Sequence, residues 1–213
     1  MKRLRVLQMI DKPSLGGGQA VLLALARNLD PSRFDVSVCA GSNGPLEEEV
    51  RTLGLPYLSA RFGKNPFTVS GRNLVRILAG GRFDIVHTHG GIAGLFGRRA
   101  ARKAGIPVIV HTLHGIHYLH YRNPALRRMS IALERAMSRA TSAVVCVSEA
   151  DLAAVRIHHL APSARLRLVR NGVAVSSLET DAERVRRIGE LRSHLKPHAP
   201  IVGTVARLHR QKG

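Results

Sequence analysis

The sequence holds no tryptophan, and aromatic residues make up only 4% of its 213 positions. A core of any size must therefore rest on Leu, Val, Ile and Ala. Cysteine occurs twice, at Cys39 and Cys146, each closing an apolar run and neither with a CxxC or metal-type partner. That excludes a disulfide scaffold and leaves two buried free thiols in a reducing compartment as the expectation. No apolar run approaches the roughly 20 residues that a membrane-crossing helix needs. The opening MKRLRVLQMID is basic and then apolar, but Asp11 ends the run too early for a secretory signal. A cytoplasmic protein is expected, with peripheral attachment to the inner face of the cytoplasmic membrane as an extension of that reading. Acidic residues are scarce as well: 14 Asp and Glu against 33 Lys and Arg give a formal charge of +19. Such an excess favours anionic partners, whether nucleic acid, an anionic membrane surface or phosphorylated substrates. It is carried by 27 Arg and 6 Lys spread along the chain. They do not cluster with aromatics that could stack on bases, which disfavours nucleic acid. An arginine-rich coding bias would produce the same charge without creating any site.

What the chain does have is a regular alternation. The near-continuous apolar runs LRVLQMI (4–10), FDVSVCA (34–40), FDIVHTH (83–89), IPVIVHT (106–112) and SAVVCVS (142–148) read as buried strands, with PYLSA as a shorter one. Amphipathic stretches over 19–28, 45–54, 68–81, 92–105, 124–140 and 149–160 read as helices, the fifth with Pro124 near its first turn. The expected fold class is α/β: a Rossmann-like, mostly parallel sheet with helices on both faces. The domain reading is one domain over 1–175 and a charged connector helix over 176–199. PIVGTVARLHRQKG (200–213) then opens a strand and loop with no partners of their own, so a second, truncated domain is expected to begin there.

In sheets of this kind ligands gather at the carboxyl ends of the strands. The polar motifs fall there: Gly16–Gly18, His87–His89, His111–His114 and Ser148–Glu149 each lie at or just after a strand end. Gly16, Gly17 and Gly18 open the first helix, where free backbone N–H groups can approach an anion closely. The loop is not a dinucleotide fingerprint, because Val21 stands where the third glycine should be. Strand two also closes with Cys39-Ala40 instead of a ribose-binding acid. The histidines of HTLHGIHYLH recur every three residues, but Gly115 interrupts them and no Cys or carboxylate is near, so no metal is expected. Imidazole suits hydrogen bonding to sugar hydroxyls and phosphate oxygens, whereas His117 and His120 read as ordinary loop residues. Asn171-Gly172 is a turn signal. Arg207 and Lys212, on a loop after a strand, form a cation pair suited to a diphosphate.

Taken in order, these pieces resemble the family-four glycosyltransferases of the GT-B fold. VLQMIDKPSLGGGQAVLLALARNL is similar to that family's first strand, glycine loop and first helix. DIVHTHG, PVIVHTLHG, VVCVSEA and VRNGV follow in the family's order, and VGTVARLHRQKG resembles the strand that opens the second domain. The resemblance implies a hexosyl transferase acting with retention between a nucleotide-sugar donor and a cell-envelope glycan, lipid-linked or small-molecule acceptor, with no cofactor. It implies His114 as the active-site histidine and Gly16, Gly17, Arg207 and Lys212 as donor-phosphate ligands. Gly18, His87, His89, Glu149 and Asn171 are implied on the acceptor side. Gln19 and Arg170 depart from the family pattern, which commonly has an acid and a proline at those places. The family's paired-glutamate motif is not present, so the chain alone is expected to be inactive. The alternative is a non-catalytic basic α/β domain that binds nucleic acid or a membrane surface, with Arg98, Arg99, Arg102, Lys103, Arg127 and Arg128 facing anionic lipid.

Overall fold

The computed structural model describes residues 2–63, 69–172 and 181–193. The chain divides into two compact units, Met1–Gly172 and Val173–Gly213. Of the second, the described part is one helix, Asp181–Ser193. The strand and loop expected over 200–213, with Arg207 and Lys212, lie outside the described residues.

The first unit is built on one sheet of seven strands: β1 Leu4–Ile10, β2 Phe34–Ala40, β3 Tyr57–Ser59, β4 Ile85–His89, β5 Val108–Leu113, β6 Ala143–Cys146 and β7 Leu166–Leu168. All six ladders are parallel, and the strand order is β3-β2-β1-β4-β5-β6-β7. Helices α1 Gly17–Asn28, α2 Pro45–Thr52, α3 Val69–Gly81, α4 Gly91–Lys103, α5 Pro124–Ser138 and α6 Glu149–Ile157 supply the crossovers. Short 3-10 turns occupy His117–His120 and Ser163–Arg165.

The strands are predominantly apolar because both faces of the sheet are covered. Along β1, Val6 and Ile10 pack with Leu22, Val38, Leu46 and Val50 under α1 and α2. Leu7 and Met9 point the other way and join Leu74, Leu78, Val86 and Phe96 under α3 and α4. A third cluster, including Leu113, Val144 and Val155, lies around β6 and α6. Helix α4 rides directly on the sheet. A Cβ on Gly94 would stand 2.5 Å from His111 Cε1, and one on Gly97 would stand 2.5 Å from Met9 Sδ and 2.6 Å from Thr88 Cγ2. Cys39 and Cys146 are buried and free. Burial pushes their thiols up to about 12 and about 11, which keeps them protonated and inert.

Strand β4 begins at Ile85 and not at Phe83. Phe83 packs into the core, and Asp84 accepts the Arg5 backbone N–H at 2.7 Å. The chain runs outward from β1 through β2 to β3 and returns on the opposite side of β1 as β4. This reversal opens a crevice at the carboxyl ends of β1 and β4, where sheets of this type hold ligands.

Candidate active site

Three features meet at that crevice: the glycine loop after β1, His89 at the end of β4 and His114 just after β5. Helix α1 starts at Gly17 with Gly16 as its N-cap, and among the described residues no side-chain cap hydrogen bond closes this end. Its first N–H groups and the helix dipole suit an anion. Gly18 abuts the histidine: a Cβ there would lie 3.5 Å from His114 Cδ2 and 3.4 Å from Ile10 Cδ1. The loop is braced by Gln19, whose Nε2 donates to the Lys12 carbonyl at 3.1 Å. An acid at position 19 could not donate that bond, so the glutamine holds the loop in its own way.

Strand alternation sorts the histidines. Gln8 and His87 are register partners, as are Ile10 and His89, and His89 and Thr112. These residues therefore share one face of the sheet. His111 points to the opposite face, where its Nδ1 lies 2.9 Å from Thr88 Oγ1 and Gly94 packs against its ring. The pattern that reads as one histidine cluster in sequence is thus a group of three plus a core residue.

Within the group of three, His87 packs against His89 with ring centroids 4.2 Å apart and planes tilted by 34°, and His89 stacks on His114 at 5.4 Å. His89 Nε2 is 2.9 Å from Gln8 Oε1, and His89 Nδ1 is 3.1 Å from His114 Nε2. A carboxamide oxygen only accepts. His89 therefore donates from Nε2, accepts at Nδ1, and is met by an N–H on His114 Nε2. The remaining nitrogen of His114, Nδ1, is left with a lone pair. Burial, reinforced by the neighbouring imidazoles, holds His89 well below its ordinary pKa and His87 at about 4. Burial also lowers His114, with Asp151 opposing. The array is neutral at physiological pH, and its chemistry is hydrogen bonding to hydroxyl and phosphate oxygens.

His114 is half-buried and faces the crevice, whereas His89 has no exposed surface. His89, implied on the acceptor side by the resemblance, has both its nitrogens engaged inside the protein, one of them against His114. His87 is half-buried and bonds Thr112 Oγ1 at 2.8 Å. Gly115, at φ 87°, lets the chain turn away directly after His114. Glu149 and Arg170 form an exposed ion pair at 3.2 Å beside exposed Asn171. The N-terminus of α6 is closed to anions by Ser148, which accepts from Asp151 N, and by the acids of its first turn. Among the described residues no group of three or more His, Cys, Asp or Glu is placed to hold a metal ion.

Sequence reading missed Gln8 and misplaced Arg98. Arg98, expected on a lipid-facing surface, is 3% exposed and forms a two-pronged ion pair with Glu134 at 2.8 Å. Burial alone would raise the Glu134 carboxyl, and the Arg98 guanidinium outweighs it, holding the group at about 2. This pair lies at a cleft of about 420 Å³, lined mainly by apolar side chains including Phe62, Ile92, Tyr118, Tyr121 and Leu133. The cleft opens beside the ends of β3, β4 and β5, next to the crevice.

A family model described as Glycosyltransferase Family 4 matches residues 15–177. An Escherichia coli relative, UDP-Gal:alpha-D-GlcNAc-diphosphoundecaprenol alpha-1,3-galactosyltransferase, is 28% identical over 207 residues, covering 94% of this chain and 52% of that protein. The chain spans about half the length of the curated relatives it matches, 52% and 55%. Among solved structures, Anabaena Alr3699/HepE in complex with UDP-glucose superposes with a TM-score of 0.72 at 16% identity, over 90% of this chain and 50% of that one. A glycosyltransferase from Rickettsia africae ESF-5 gives 0.67 at 16%, over 91% and 50%. At these identities the structural likeness shows the fold, the Rossmann-like half of a GT-B architecture.

Proposed function

This chain belongs to glycosyltransferase family 4, and from that premise we propose that it is the acceptor-side half of a retaining enzyme that moves a hexose from a UDP-sugar to a lipid-linked glycan. The observation that carries the reading is the meeting of an uncapped glycine helix end with His114 at the β1–β4 crevice. One can hold a phosphate and the other a sugar hydroxyl, so a sugar nucleotide diphosphate meets both its charge and its ring in one place. The lone pair at His114 Nδ1 accepts from a hydroxyl of the transferred sugar and fixes its orientation. The α1 N–H groups meet phosphate oxygens, and Arg207 and Lys212, from the second unit's sequence, neutralise the departing nucleoside diphosphate. Fixed donors aimed at charge that develops in the transition state are typically worth about 3 kcal/mol each.

The acceptor class draws on the named reaction of the Escherichia coli relative, whose acceptor is a sugar diphospholipid. The alpha linkage in that name is what retention gives from an alpha-linked nucleotide sugar. The apolar cleft beside the crevice suits the same class of acceptor, as it would take the portion of substrate nearest the lipid. The test incubates the full-length gene product with radiolabelled UDP-hexoses and a GlcNAc-diphosphoprenol. Label is expected in the lipid product, in alpha linkage by NMR. A beta product overturns retention, and label entering water-soluble sugars but never the diphospholipid overturns the acceptor class.

A further inference from the structure

Helices α2, α4 and α6 end in the same way. The N–H groups of Leu55, Ile106 and Leu160 reach back to the carbonyls of Val50, Ala101 and Val155, and those of Gly54, Gly105 and His159 to Arg51, Arg102 and Arg156. This closure needs a left-handed residue at its centre. The first two helices place a glycine there, Gly54 at φ 69° and Gly105 at φ 71°. Helix α6 places His159 there, at φ 46°. A side chain at such a position carries backbone strain that glycine avoids, so its presence points to a use for the imidazole.

His159 lines an open cleft of about 440 Å³ together with Arg135, Arg139, Leu160, Pro162 and Ser163. The cleft lies where the chain enters β6 and β7, at the opposite rim of the sheet from the crevice. No acid is among its lining residues. Helix-end carbonyls that would repel an anion here are already covered. Arg165 Nη1 donates to the carbonyls of Ser138, Arg139 and Thr141 at the end of α5. Arg135 donates from Nη2 to the His158 carbonyl at 2.8 Å, which fixes its guanidinium beside the cleft. Among the described residues the Arg139 guanidinium has no hydrogen-bond or ion-pair partner.

We propose that this cleft is a phosphoryl-anion site, in which the Arg135 and Arg139 guanidiniums, the His159 imidazole and the Ser163 hydroxyl meet the oxygens of a phosphate or diphosphate. Guanidinium forks match the oxygens of a phosphoryl group, and the imidazole N–H and the hydroxyl supply further donors. The site is separate from the phosphate contacts proposed at α1 and does not depend on the transfer reading.

The test titrates the intact chain with inorganic phosphate and with pyrophosphate at constant ionic strength, chloride being the balancing anion, and reads backbone amide shifts by heteronuclear NMR. Saturable shifts are expected at residues 159–163, apart from any at 16–19 in the glycine loop. The anion that binds more tightly shows whether the ligand carries one phosphoryl group or two. Arg139→Gln weakens this binding about tenfold, the share of one charge-assisted contact. His159→Gly weakens it about fivefold, while its urea midpoint holds or rises because glycine takes the left-handed turn without strain. A side chain kept for structure alone would instead lower the midpoint and leave the affinity where it was. The proposal is overturned by the absence of saturable shifts at 159–163 or by shifts spread evenly over the cationic surface. Wild-type affinity in either variant overturns it as well.

Discussion

His114 Nε2 lies 3.1 Å from Nδ1 of His89, a fully buried ring whose other nitrogen is anchored on Gln8. The side chain that faces the crevice thus has its tautomer set from inside the sheet. His89→Phe keeps a ring of similar size but removes the acceptor. Turnover of the full-length enzyme is expected to drop about 100-fold, as loss of precise placement can cost. Heteronuclear NMR separates this from a packing defect. The His114 ring should be one tautomer in wild type and a mixture in the variant, and a single unchanged tautomer would show that His89 does not set it.

Helix α4 has no room to rise. Gly94→Ala and Gly97→Ala each force a Cβ to within 2.5 Å of a buried side chain and are expected to lower unfolding free energy by about 1–3 kcal/mol. Gly91→Ala, where a Cβ meets nothing within 4 Å, is the control. Urea titration of the three variants decides it.

Arg98→Met strands the Glu134 carboxylate in a buried site, and a loss of about 3–5 kcal/mol is expected. Adding Glu134→Leu removes the orphaned charge and should restore most of that stability. A double variant as unstable as the single one would show that the pair is not the source of the loss.

Acid sensitivity follows from rings held neutral. Burial, aided by His114, keeps His87 at about 4, and burial, aided by Arg98, keeps His111 at about 3, both from an ordinary 6.5. Above pH 6.5 the folded and unfolded chains carry the same neutral rings, so these groups change nothing there. Below it the unfolded chain gains protons that the folded chain refuses, so stability falls as pH drops toward 4 and, for His111, toward 3. Each ring contributes about 1.4 kcal/mol per pH unit in its window. Glu134, lowered from 4.5 to about 2, adds stability that is present above 4.5 and lost as pH falls to 2. His87→Asn should flatten the stability–pH curve between 6.5 and 4 by one proton's slope.

On the proposed transfer reading, in which Arg207 meets the leaving group, Arg207→Ala in the full-length protein is expected to reduce kcat about 100-fold with little change in acceptor KM. Steady-state kinetics with varied acceptor measures both terms. Near-wild-type turnover would remove Arg207 from the site.

Much of this architecture is legible in the chain. The runs 4–10 and 34–40 coincide with β1 and β2, because strands buried on both faces leave a mostly apolar signature. β7 is only three residues long and sits within an arginine-rich stretch, too short for any periodicity. Gln8 carried a usable signal: a carboxamide inside an apolar strand is costly to bury without a partner. Arg98 carried none. Its neighbours on α4 look like those of a surface arginine, and its partner Glu134 is 36 positions away. The split of His111 from His87, His89 and His114 needed only strand alternation, but the short spacing of the sequence motif hid it.

The strand order also has a temporal meaning. Gln8 and His89 are bonded neighbours separated by 81 positions in the chain. On the ribosome, at roughly 5–20 residues per second, β1 waits roughly 4–16 seconds after its own synthesis for β4 to appear. Until then the central strand of the sheet is an open edge, apolar on both faces and able to pair with any extended segment it meets. The nascent protein is therefore most vulnerable before its histidines exist, and whatever shelters β1 during that interval governs how much of it survives to fold.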